Sequence, residues 1–502
     1  MDIFYRCHKF TDERIVYYLS VYFCVREPPS SVCDATGDIM KKIAVSKKLP
    51  NHKNELNLFV KRYITKFEKL KTYTMKTTLL FSLFVLLASG VALPSCANYN
   101  SDSTSNKRPA DDAAIKVPDG FIVTEVANGL KSPRHIVVNE KGNIYVKLEA
   151  LQNGKGIMYL QDADKDGKFE KQTGFGNYIG TGITSKNGYL YASSNTEVYR
   201  YKLDANGQVD ANATPEKIIA GLIDRNQHSS KSITLDNNGN IYVNIGAYSN
   251  SCQEKDRSKG SMGKQPCPIL DSAGGIWQFK ADKANQTYGD GIRYATGLRN
   301  VVGLDWNNAT NTLFVMQHGR DGLHDLFPDM YDTKTSAELP AECMYQINKD
   351  DNAGWPYIYY DQLQHKKILA PEYGGDGMKE GPSGIIDPAV AFPGHMAPNG
   401  LLFYTGNMFP EKYKNGAFIA FHGSWNRAPE PQKGYLVAFV PFKDGKPSGD
   451  WEIFADNFAG GPDFVSPGKA KHRPCGLAQG PDGALYVSDD QGGTIYKITY
   501  KK

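Results

Sequence analysis

From Val117 onward, one pattern of apolar and polar positions returns along the chain. A turn containing Asn, Asp or Gly leads into an apolar strand at 141–149, 186–194, 237–246, 309–318, 414–423 and 481–490. A second strand follows each of these at variable distance, at 156–162, 197–203, 275–281, 342–349, 434–442 and 494–500. Six recurrences of one two-strand unit predict an array of similar modules rather than one irregular sheet.

The spacing of these units predicts an all-β fold, a β-propeller of about six blades. The spacing is irregular, and a long insertion separates the fourth unit from the fifth, which argues against a regular solenoid. The lone strand in 120–130 precedes the first unit, so we expect it to join the last blade and close the ring. The 49 glycines and 30 tyrosines of the chain agree with many turns and strands.

The first 116 residues follow a different pattern. Residues 1–74 lack a clear period, and we interpret them as a non-native or unstructured extension; the alternative is a cytosolic extension with an internal hydrophobic helix. A short basic start at Met75, an apolar segment and small residues ending at Cys96 have the three parts of an export signal. The polar tract 97–116 predicts a flexible linker ahead of a propeller domain at 117–502.

The string LPSC ending at Cys96 resembles a bacterial lipobox, in which this cysteine is lipidated. The preceding apolar run is too short for a membrane span, so we expect membrane contact only through a lipid anchor. We predict an exported bacterial protein, either periplasmic or a membrane-anchored lipoprotein. Residues 1–74 hold 14 of the 58 Lys and Arg and 8 of the 54 Asp and Glu, so the rest of the chain is close to neutral and a nucleic-acid partner is not suggested.

Four cysteines follow the predicted signal. Cys252 and Cys267 lie in a loop rich in Ser, Lys, Gly and Pro, and in an oxidising compartment we favour a disulfide between them over free thiols. The spacing of Cys343 and Cys475 does not decide whether they pair. The sequence contains no CxxC motif and no Cys/His zinc spacing.

Polar side chains cluster where several predicted strands end, and the string AFHGSWNR at 420–427 is the richest case. It joins an apolar strand to Trp425, Asn426 and Arg427. Such a set suits a flat anionic ligand, because Arg offers a planar fork of donors, Trp a stacking face and Asn both a donor and an acceptor. A turn anchored by the tryptophan is the plain structural alternative.

Further Arg and His residues stand just ahead of other repeats. A propeller would bring these positions together on one face, although surface arginines and hydrogen-bonded histidines without a function are also common. They are Arg134, His228, Arg299 with Asn300, His395 and Arg473.

Longer strings resemble the pyrroloquinoline quinone (PQQ)-dependent sugar dehydrogenases, in their sorbosone and pyranose dehydrogenase branch. The strings are TGLRNVVGL, INKDDNAGWPYIYYD, HMAPNGLLFYTG, AFHGSWNRAP and HRPCGLAQGPDGALYVSDD. The resemblance covers roughly residues 117–500. It implies a six-bladed propeller that binds PQQ and Ca²⁺ at the channel mouth, oxidises a sugar and passes electrons to an external acceptor, a cytochrome or the quinone pool.

The resemblance also implies roles for individual residues. His228 is the general base, and Arg299 stabilises the charge that develops on the quinone oxygen. Calcium, as a Lewis acid, is expected on the backbone carbonyls of Gly319 and Arg320. The cofactor is held by Arg134, Asn300, His395, Trp425, Asn426, Arg427 and Arg473.

Three stretches complicate this picture. Gln227 precedes the predicted base, where soluble glucose dehydrogenases of the wider family carry an acid. The segment 321–345 has a loop of its own, which would reshape the substrate rim. Asp162, Asp164 and Asp166 match the first half of a calcium loop, but Thr173 occupies the twelfth position, so a plain hairpin turn and a second calcium site both stay open.

Two other functions compete with a sugar dehydrogenase. One is a calcium-dependent lactonase propeller, which would hold its metal with Glu, Asn and Asp side chains in the channel. The prominence of Arg over channel carboxylates argues against it. The other is a non-catalytic propeller that binds sugar.

Overall fold

The computed structural model describes residues 115–461 and 466–501, and the backbone of three strands nearer the N-terminus. Those strands, Ile3–Arg6, Ser20–Phe23 and Lys41–Ala44, form an antiparallel sheet within a first compact unit, Met1–Asn106. The predicted export signal with Cys96, and the predicted linker up to residue 114, lie outside the described residues. Within the described residues, no helix is long and apolar enough to cross a membrane.

The second unit, Lys107–Lys502, contains an all-β propeller of six four-stranded antiparallel blades, which confirms the predicted fold class. The first strands of successive blades lie beside one another around a central channel. The strands from the channel outward are, in blade 1, Pro133–Val138, Ile144–Gln152, Lys155–Gln161 and Lys171–Phe175; in blade 2, Ile183–Lys186, Tyr189–Ser193, Val198–Lys202 and Glu216–Ala220; in blade 3, Ile233–Leu235, Asn240–Ile245, Gly275–Lys280 and Ile292–Thr296; in blade 4, Val301–Asn307, Thr312–Gln317, Glu342–Ile347 and Val390–Phe392; in blade 5, Pro398–Phe403, Ala417–Phe421, Leu436–Val440 and Glu452–Ala455; and in blade 6, Pro474–Gln479, Leu485–Asp489, Thr494–Tyr500 and Phe121–Ala127.

Each predicted strand pair corresponds to the second and third strands of a blade. These middle strands pack between neighbouring blades, and some, such as Asn240–Ile245 and Leu436–Val440, are buried along their whole length. Outer strands such as Glu452–Ala455 are half exposed, and the channel-lining strands carry polar and small residues. The apolar pattern therefore marked the middle of each blade and missed the inner and outer strands, apart from the outer strand of blade 6.

The ring closes through the strand that precedes the first blade. Phe121–Ala127 pairs antiparallel with Thr494–Tyr500 and forms the outer strand of blade 6, as predicted for the lone strand in 120–130. Ordered backbone contact begins earlier, at Lys116, whose N–H and carbonyl both bond to Asp456. The two ends of the propeller are thus joined by main-chain hydrogen bonds.

The channel has one chemically rich face. In each blade the first strand begins, and the second strand ends, at this face, which we call the mouth. The first strands of four blades also shift register close to the mouth, starting at Pro133, Val301, Pro398 and Pro474. Such bulges redirect neighbouring side chains, here beside Arg134, Asn300, Asn399 and Arg473.

Long connections stand around the propeller on the side of blades 3 and 4. The connection 246–274 is closed by a disulfide between Cys252 and Cys267, whereas Cys343 and Cys475 are buried free thiols. The connection 318–341 carries two short helices, which we label α1 and α2. Helix α1 comprises Leu323–Leu326 and helix α2 comprises Thr333–Glu338. Two strand pairs lie outside the blades, Ile358–Asp361 with Lys366–Leu369 and Phe442–Lys443 with Lys446–Pro447, and two short parallel strands, Gln286–Thr287 and Asp351–Asn352, add to blades 2 and 3. The 3₁₀ helices are Pro268–Asp271, Tyr288–Asp290, Pro371–Tyr373, Glu411–Tyr413 and Pro467–Lys469.

The closing strand supplies a test of this architecture. The Phe121 ring packs edge-on against Phe409 and Phe454, with centroid distances of 4.8 and 4.9 Å. We expect Phe121→Ala to lower the free energy of unfolding by about 3–5 kcal/mol, because it opens a cavity where the ring is sealed. Ile122→Ala, on the same strand but 40% exposed, should cost less than about 1 kcal/mol. Equal losses in urea denaturation would contradict the role given to Phe121.

Candidate active site at the channel mouth

A buried ion-paired group joins three blades on one side of the mouth. Arg134, at the start of blade 1, places Nη1 2.7 Å from Asp490 Oδ2 and Nε 3.2 Å from Glu149 Oε2. His422 Nε2 lies 2.8 Å from the other oxygen of Asp490. Although burial opposes ionisation, His422 and Arg134 hold the pKa of Asp490 well below its usual range. A carboxylate from blade 6 thus compensates cationic or polar groups of blades 1 and 5.

Arg299 lies at the opposite side, where blade 4 begins. Its Nη2 is 2.7 Å from Asp321 Oδ2, and its Nη1 donates to the Gly319 carbonyl at 2.8 Å. The neighbouring Asn300 is also buried, and its Oδ1 accepts a hydrogen bond from Asn244 Nδ2 at 3.3 Å. Burial leaves the pKa of Arg299 below its usual value despite the attraction of Asp321, but an arginine that starts above 12 stays charged at neutral pH.

His228 is held as a neutral imidazole with a defined tautomer. Its Nδ1 hydrogen-bonds the Ala247 carbonyl, and because a carbonyl only accepts, the proton resides on Nδ1 and Nε2 carries the free electron pair. Burial and the positive charge of Arg299 lower the pKa of His228 to about 3. Its φ of 49° is unusual for a residue other than glycine, and such strain is common at functional sites.

The surroundings of His395 favour its protonated form, in contrast to those of His228. Its Nε2 donates to the carbonyls of Ser336 and Leu339 at 2.8 and 3.1 Å, and its Nδ1 lies 3.8 Å from Asp321 Oδ1. Burial disfavours the imidazolium, but Asp321 outweighs burial and raises the pKa of His395. In the structure His395 therefore ties α2 and the Asp321 carboxylate to the start of blade 5.

Arg473 has two spare guanidinium donors and no carboxylate partner among the described residues. It is 2% exposed and stacks under the Trp425 ring, with 3.8 Å from Cζ to the ring centroid. Nη2 contacts the carbonyls of Gly423 and Ser424 and the hydroxyl of Tyr435 at 3.1–3.3 Å. Within the described residues, Nε and Nη1 have no hydrogen-bond partner and no carboxylate contacts this guanidinium. A buried charge with unused donors calls for an anionic acceptor.

Arg427 and Asn426 are engaged with neighbouring loops. Arg427 donates through Nη2 to Glu338 at 2.7 Å, through Nε to the Pro431 carbonyl at 2.9 Å, and through Nη1 to the Ala337 carbonyl. Asn426 Nδ2 donates to Asp321 Oδ1 at 2.6 Å. These bonds clamp α2 and the Asp321 turn, so cofactor contact by Arg427 and Asn426 stays a prediction.

One of the two carbonyls predicted to bind calcium, that of Gly319, already accepts a hydrogen bond. The Gly319 carbonyl accepts from the Arg299 guanidinium, and a cation on the same oxygen would face that positive charge. The Arg320 side chain forms a buried ion pair with Glu372 at 2.8 Å. As they stand, these residues do not fit a calcium ion on Gly319, and no chemical step is derived through one.

The acidic hairpin at the outer edge of blade 1 has a fourth member. The carboxylate oxygens of Asp162, Asp164, Asp166 and Glu170 all lie within 4.8 Å of one another, so Glu170 supplies the acid that the loop pattern lacked at Thr173. Backbone N–H groups of the same turn already donate to several of these carboxylates. A hairpin turn and a calcium site both remain open here.

The mouth contains most of the predicted residues together with four to which the sequence analysis gave no individual role. Arg134, Arg299, Arg427 and Arg473 share one face through linked contacts. Asp321, Asp490, Glu342 and His422 were missed as site residues. Asp490 and His422 stand at the ends of second strands, a position that signals the mouth. Asp321 and Glu342 carried no comparable signal, since their roles depend on pairing with residues distant in sequence.

Comparison with known proteins gives a consistent family match. A sequence model of the TrAA12-like family matches residues 115–360 and 380–501. An uncharacterized protein of Borreliella burgdorferi is 26% identical over 441 residues, which cover 85% of this chain and 100% of the relative. A pyrroloquinoline quinone-dependent pyranose dehydrogenase of Coprinopsis cinerea is 24% identical over 425 residues, 76% of this chain and 54% of the relative. The chain thus spans about half the length of that dehydrogenase.

Solved structures share the fold. A Trichoderma reesei structure of Carbohydrate-Active Enzymes Family AA12 superposes with a TM-score of 0.64 at 19% identity, over 79% of this chain and 100% of the other. The holo form of the PQQ domain of Coprinopsis cinerea pyranose dehydrogenase gives a TM-score of 0.60 at 21% identity, over 78% and 98%. At these identities the likeness establishes the architecture.

The Asp490 ion pair predicts a pH-dependent contribution to stability. Asp490→Asn leaves the buried Arg134 with only the half-exposed Glu149 as a carboxylate partner, and we expect a loss of up to about 3–5 kcal/mol at pH 7. Because the folded-state pKa is depressed, this contribution is complete above the unfolded Asp pKa of about 3.9, begins to fall there, and is lost as pH drops through the lower folded-state pKa. Urea denaturation from pH 7 to pH 3 measures it.

Glu452→Gln is the matched control, since its pair with Lys412 is exposed on the outer strand of blade 5. We expect a change below about 1 kcal/mol at every pH. An Asp490→Asn effect as small as this control, or one that grows on acidification, would contradict the assignment.

Proposed function

This chain belongs to the TrAA12-like family of PQQ-dependent sugar dehydrogenases, and from that premise we propose that it oxidises a sugar at the channel mouth with bound PQQ. The finer proposal is an aldose or sorbosone-like substrate, with the electrons passed to an external acceptor such as a cytochrome or the quinone pool. The residues at the mouth support this proposal.

The observation that carries the proposal is the unmatched guanidinium of Arg473. PQQ is a planar quinone with three carboxylates, and a carboxylate accepts two parallel N–H donors from a guanidinium. Among the described residues, Nε and Nη1 of Arg473 have no hydrogen-bond partner, and the guanidinium stacks on the Trp425 indole. Arg134, Arg299 and Asn300 complete the set of donors that would hold the cofactor.

When bound, PQQ supplies a quinone that accepts the hydride of an alcohol oxidation. The protein's part is to remove the hydroxyl proton, and His228 has the required form, with a free electron pair on Nε2. The low pKa of His228 reflects burial beside Arg299, and an anionic ligand against Arg299 would raise it toward the neutral range where a general base works best. Arg299 would stabilise negative charge that develops close by.

A hydrolytic function has less support from the mouth. A lactonase would need several free carboxylates to hold a metal, but Asp321 and Asp490 are both paired with guanidinium groups. Glu342 accepts from the Gly319 N–H, and burial raises its pKa to about 7, which disfavours the charged form that binds a metal. Calcium as a second cofactor remains part of our proposal, without an assigned position. Export and lipidation at Cys96 also remain predictions.

Loading with PQQ tests the cofactor proposal directly. We expect wild-type protein to bind PQQ, followed by Trp425 fluorescence, and Arg473→Gln to weaken binding by about 10- to 100-fold, the effect of losing one charge-assisted contact. Arg200→Gln is the matched control, because Arg200 stacks on Tyr189 and pairs with Glu216 in blade 2. If the wild-type protein does not bind PQQ but hydrolyses lactones, the lactonase function is favoured. If it binds sugar without turnover, a non-catalytic binding propeller is favoured.

The base assignment predicts a separation of binding from turnover. His228→Asn should keep PQQ bound and lower kcat by about 10²–10⁴-fold, since an amide donor can replace Nδ1–H but cannot accept the proton. Asparagine also tolerates the left-handed backbone at this position. His365→Asn is the control, because His365 is exposed on the Ile358–Leu369 hairpin with a similar φ of 55°. Dye-linked sugar oxidation measures both, and retained turnover in His228→Asn would refute the assignment.

A further inference from the structure

One connection outside the blades contacts several residues of the mouth. It joins the second strand of blade 3, which ends at Ile245, to the third strand, which begins at Gly275. Its first part leads through Asn250 into the loop Cys252–Cys267, which the disulfide closes; we call this the disulfide loop. The family resemblance assigns this segment no role.

Asn250 is completely buried and holds Arg299 through two atoms. Its backbone carbonyl accepts from Arg299 Nε at 3.2 Å, and its side-chain Oδ1 accepts from Arg299 Nη2 at 3.2 Å. With Asp321 and Gly319, these contacts fix the guanidinium on both edges. An arginine constrained in this way loses little freedom when a ligand binds, which is the basis of preorganisation.

Asn250 also holds the turn that carries Asp321. Its Oδ1 accepts from the Asp321 N–H at 2.8 Å, and its Nδ2 donates to the Asp321 carbonyl at 3.0 Å. Trp355 Nε1 donates to the Asn250 carbonyl at 3.0 Å. One amide side chain therefore makes a two-way connection to the turn, while the indole fixes the main chain of the same residue.

The disulfide loop hydrogen-bonds to the backbone of Asn250 and contacts two further residues near the mouth, Gln227 and Asp321. Asp256 Oδ1 accepts from the Asn250 N–H at 2.9 Å, and its Oδ2 accepts from Gln227, the residue before the predicted base. Arg257 Nη2 lies 2.8 Å from Asp321 Oδ2. Asp256 thus links Asn250 to the residue that precedes the predicted base.

We propose that Asn250 and the disulfide loop form the positioning element of the mouth, and that closure of the Cys252–Cys267 disulfide keeps Arg299 and the Asp321 turn in place for ligand binding. The proposal deepens the proposed function and rests on it for the identity of the ligand. The positions of Arg299 and the turn are measurable without any ligand. Asn250 is a positioning residue, since it acts through Arg299.

The first experiment compares two buried asparagines. Asn250→Ala should speed hydrogen exchange at 298–301 and 318–322 in the ligand-free protein and weaken PQQ binding by about 10-fold or more, as loss of a supporting partner does. Asn139→Ala is the control, because Asn139 is also buried and braces a turn of blade 1 at the face opposite the mouth. It should leave both measurements unchanged in these segments. Asn250→Asp keeps the shape and removes the Nδ2 donor, and should act in the same direction if Asn250→Ala does not fold.

The second experiment addresses the disulfide. A thiol reductant should speed exchange in the same two segments of the wild-type protein and weaken its PQQ binding. The Cys252→Ser/Cys267→Ser double variant should show both changes before reductant is added, and the reductant should cause no further change in it. The double variant lacks this disulfide, so any change that the reductant causes in it arises elsewhere.

Wild-type exchange rates and PQQ affinity in Asn250→Ala and in reduced protein would overturn the proposal, as would equal effects in Asn139→Ala. Faster exchange in a protein whose wild type does not bind PQQ would support the positioning of Arg299 and count against the proposed function alone.

Discussion

The need to compensate buried guanidinium charge organises the mouth of this propeller. A buried arginine is tolerated when carboxylates and carbonyls surround it, and here each partner comes from a different part of the chain. Arg134 forms an ion pair with Asp490 across the seam between blades 1 and 6. Arg299 pairs with Asp321 in the connection that follows the second strand of blade 4, and Arg427 pairs with Glu338 of α2. Each pair therefore also fixes one blade or loop against another. Arg473 departs from this rule, and its unpartnered donors are what distinguish a binding site from a structural network.

The mouth can be this polar because stability comes from elsewhere. Apolar middle strands pack blade against blade, and aromatic rings such as Phe121, Phe418 and Phe454 fill the seam between the last two blades. Ring closure by Phe121–Ala127 removes the free edge that an open array of blades would leave. The charged residues then project from bulged strand starts and strand ends that the core holds rigidly.

Charge state separates the histidines of the site in a way that residue type alone does not reveal. His228 is half-buried and His395 is buried, but the first faces Arg299 and a carbonyl, and the second faces a carboxylate. Their surroundings lower one pKa and raise the other. The same type of side chain thus serves as a neutral acceptor beside the predicted ligand position and, behind it, as a hydrogen-bonded tie whose protonated form Asp321 favours. This division agrees with a general base at His228, and it gives His395 a structural task that its position ahead of the fifth repeat did not suggest.

By itself the sequence determined the number of blades, the middle strands, the closing strand and the family, because apolar periodicity and turn residues are local and each blade repeats them. It also marked Arg134, Arg299 and Arg473, since these stand at a constant phase before their repeats. Only the tertiary structure decided which of these arginines has hydrogen-bond partners within the protein for its donors. Asp321, Asp490, Glu338 and Asn250 meet their partners across blades or loops, from dozens to hundreds of positions away, and nothing in the strand pattern encodes those pairings. Whether a buried donor is free for a ligand depends on three-dimensional neighbours, which is why Arg473 and Arg427 look alike in sequence and differ in the fold.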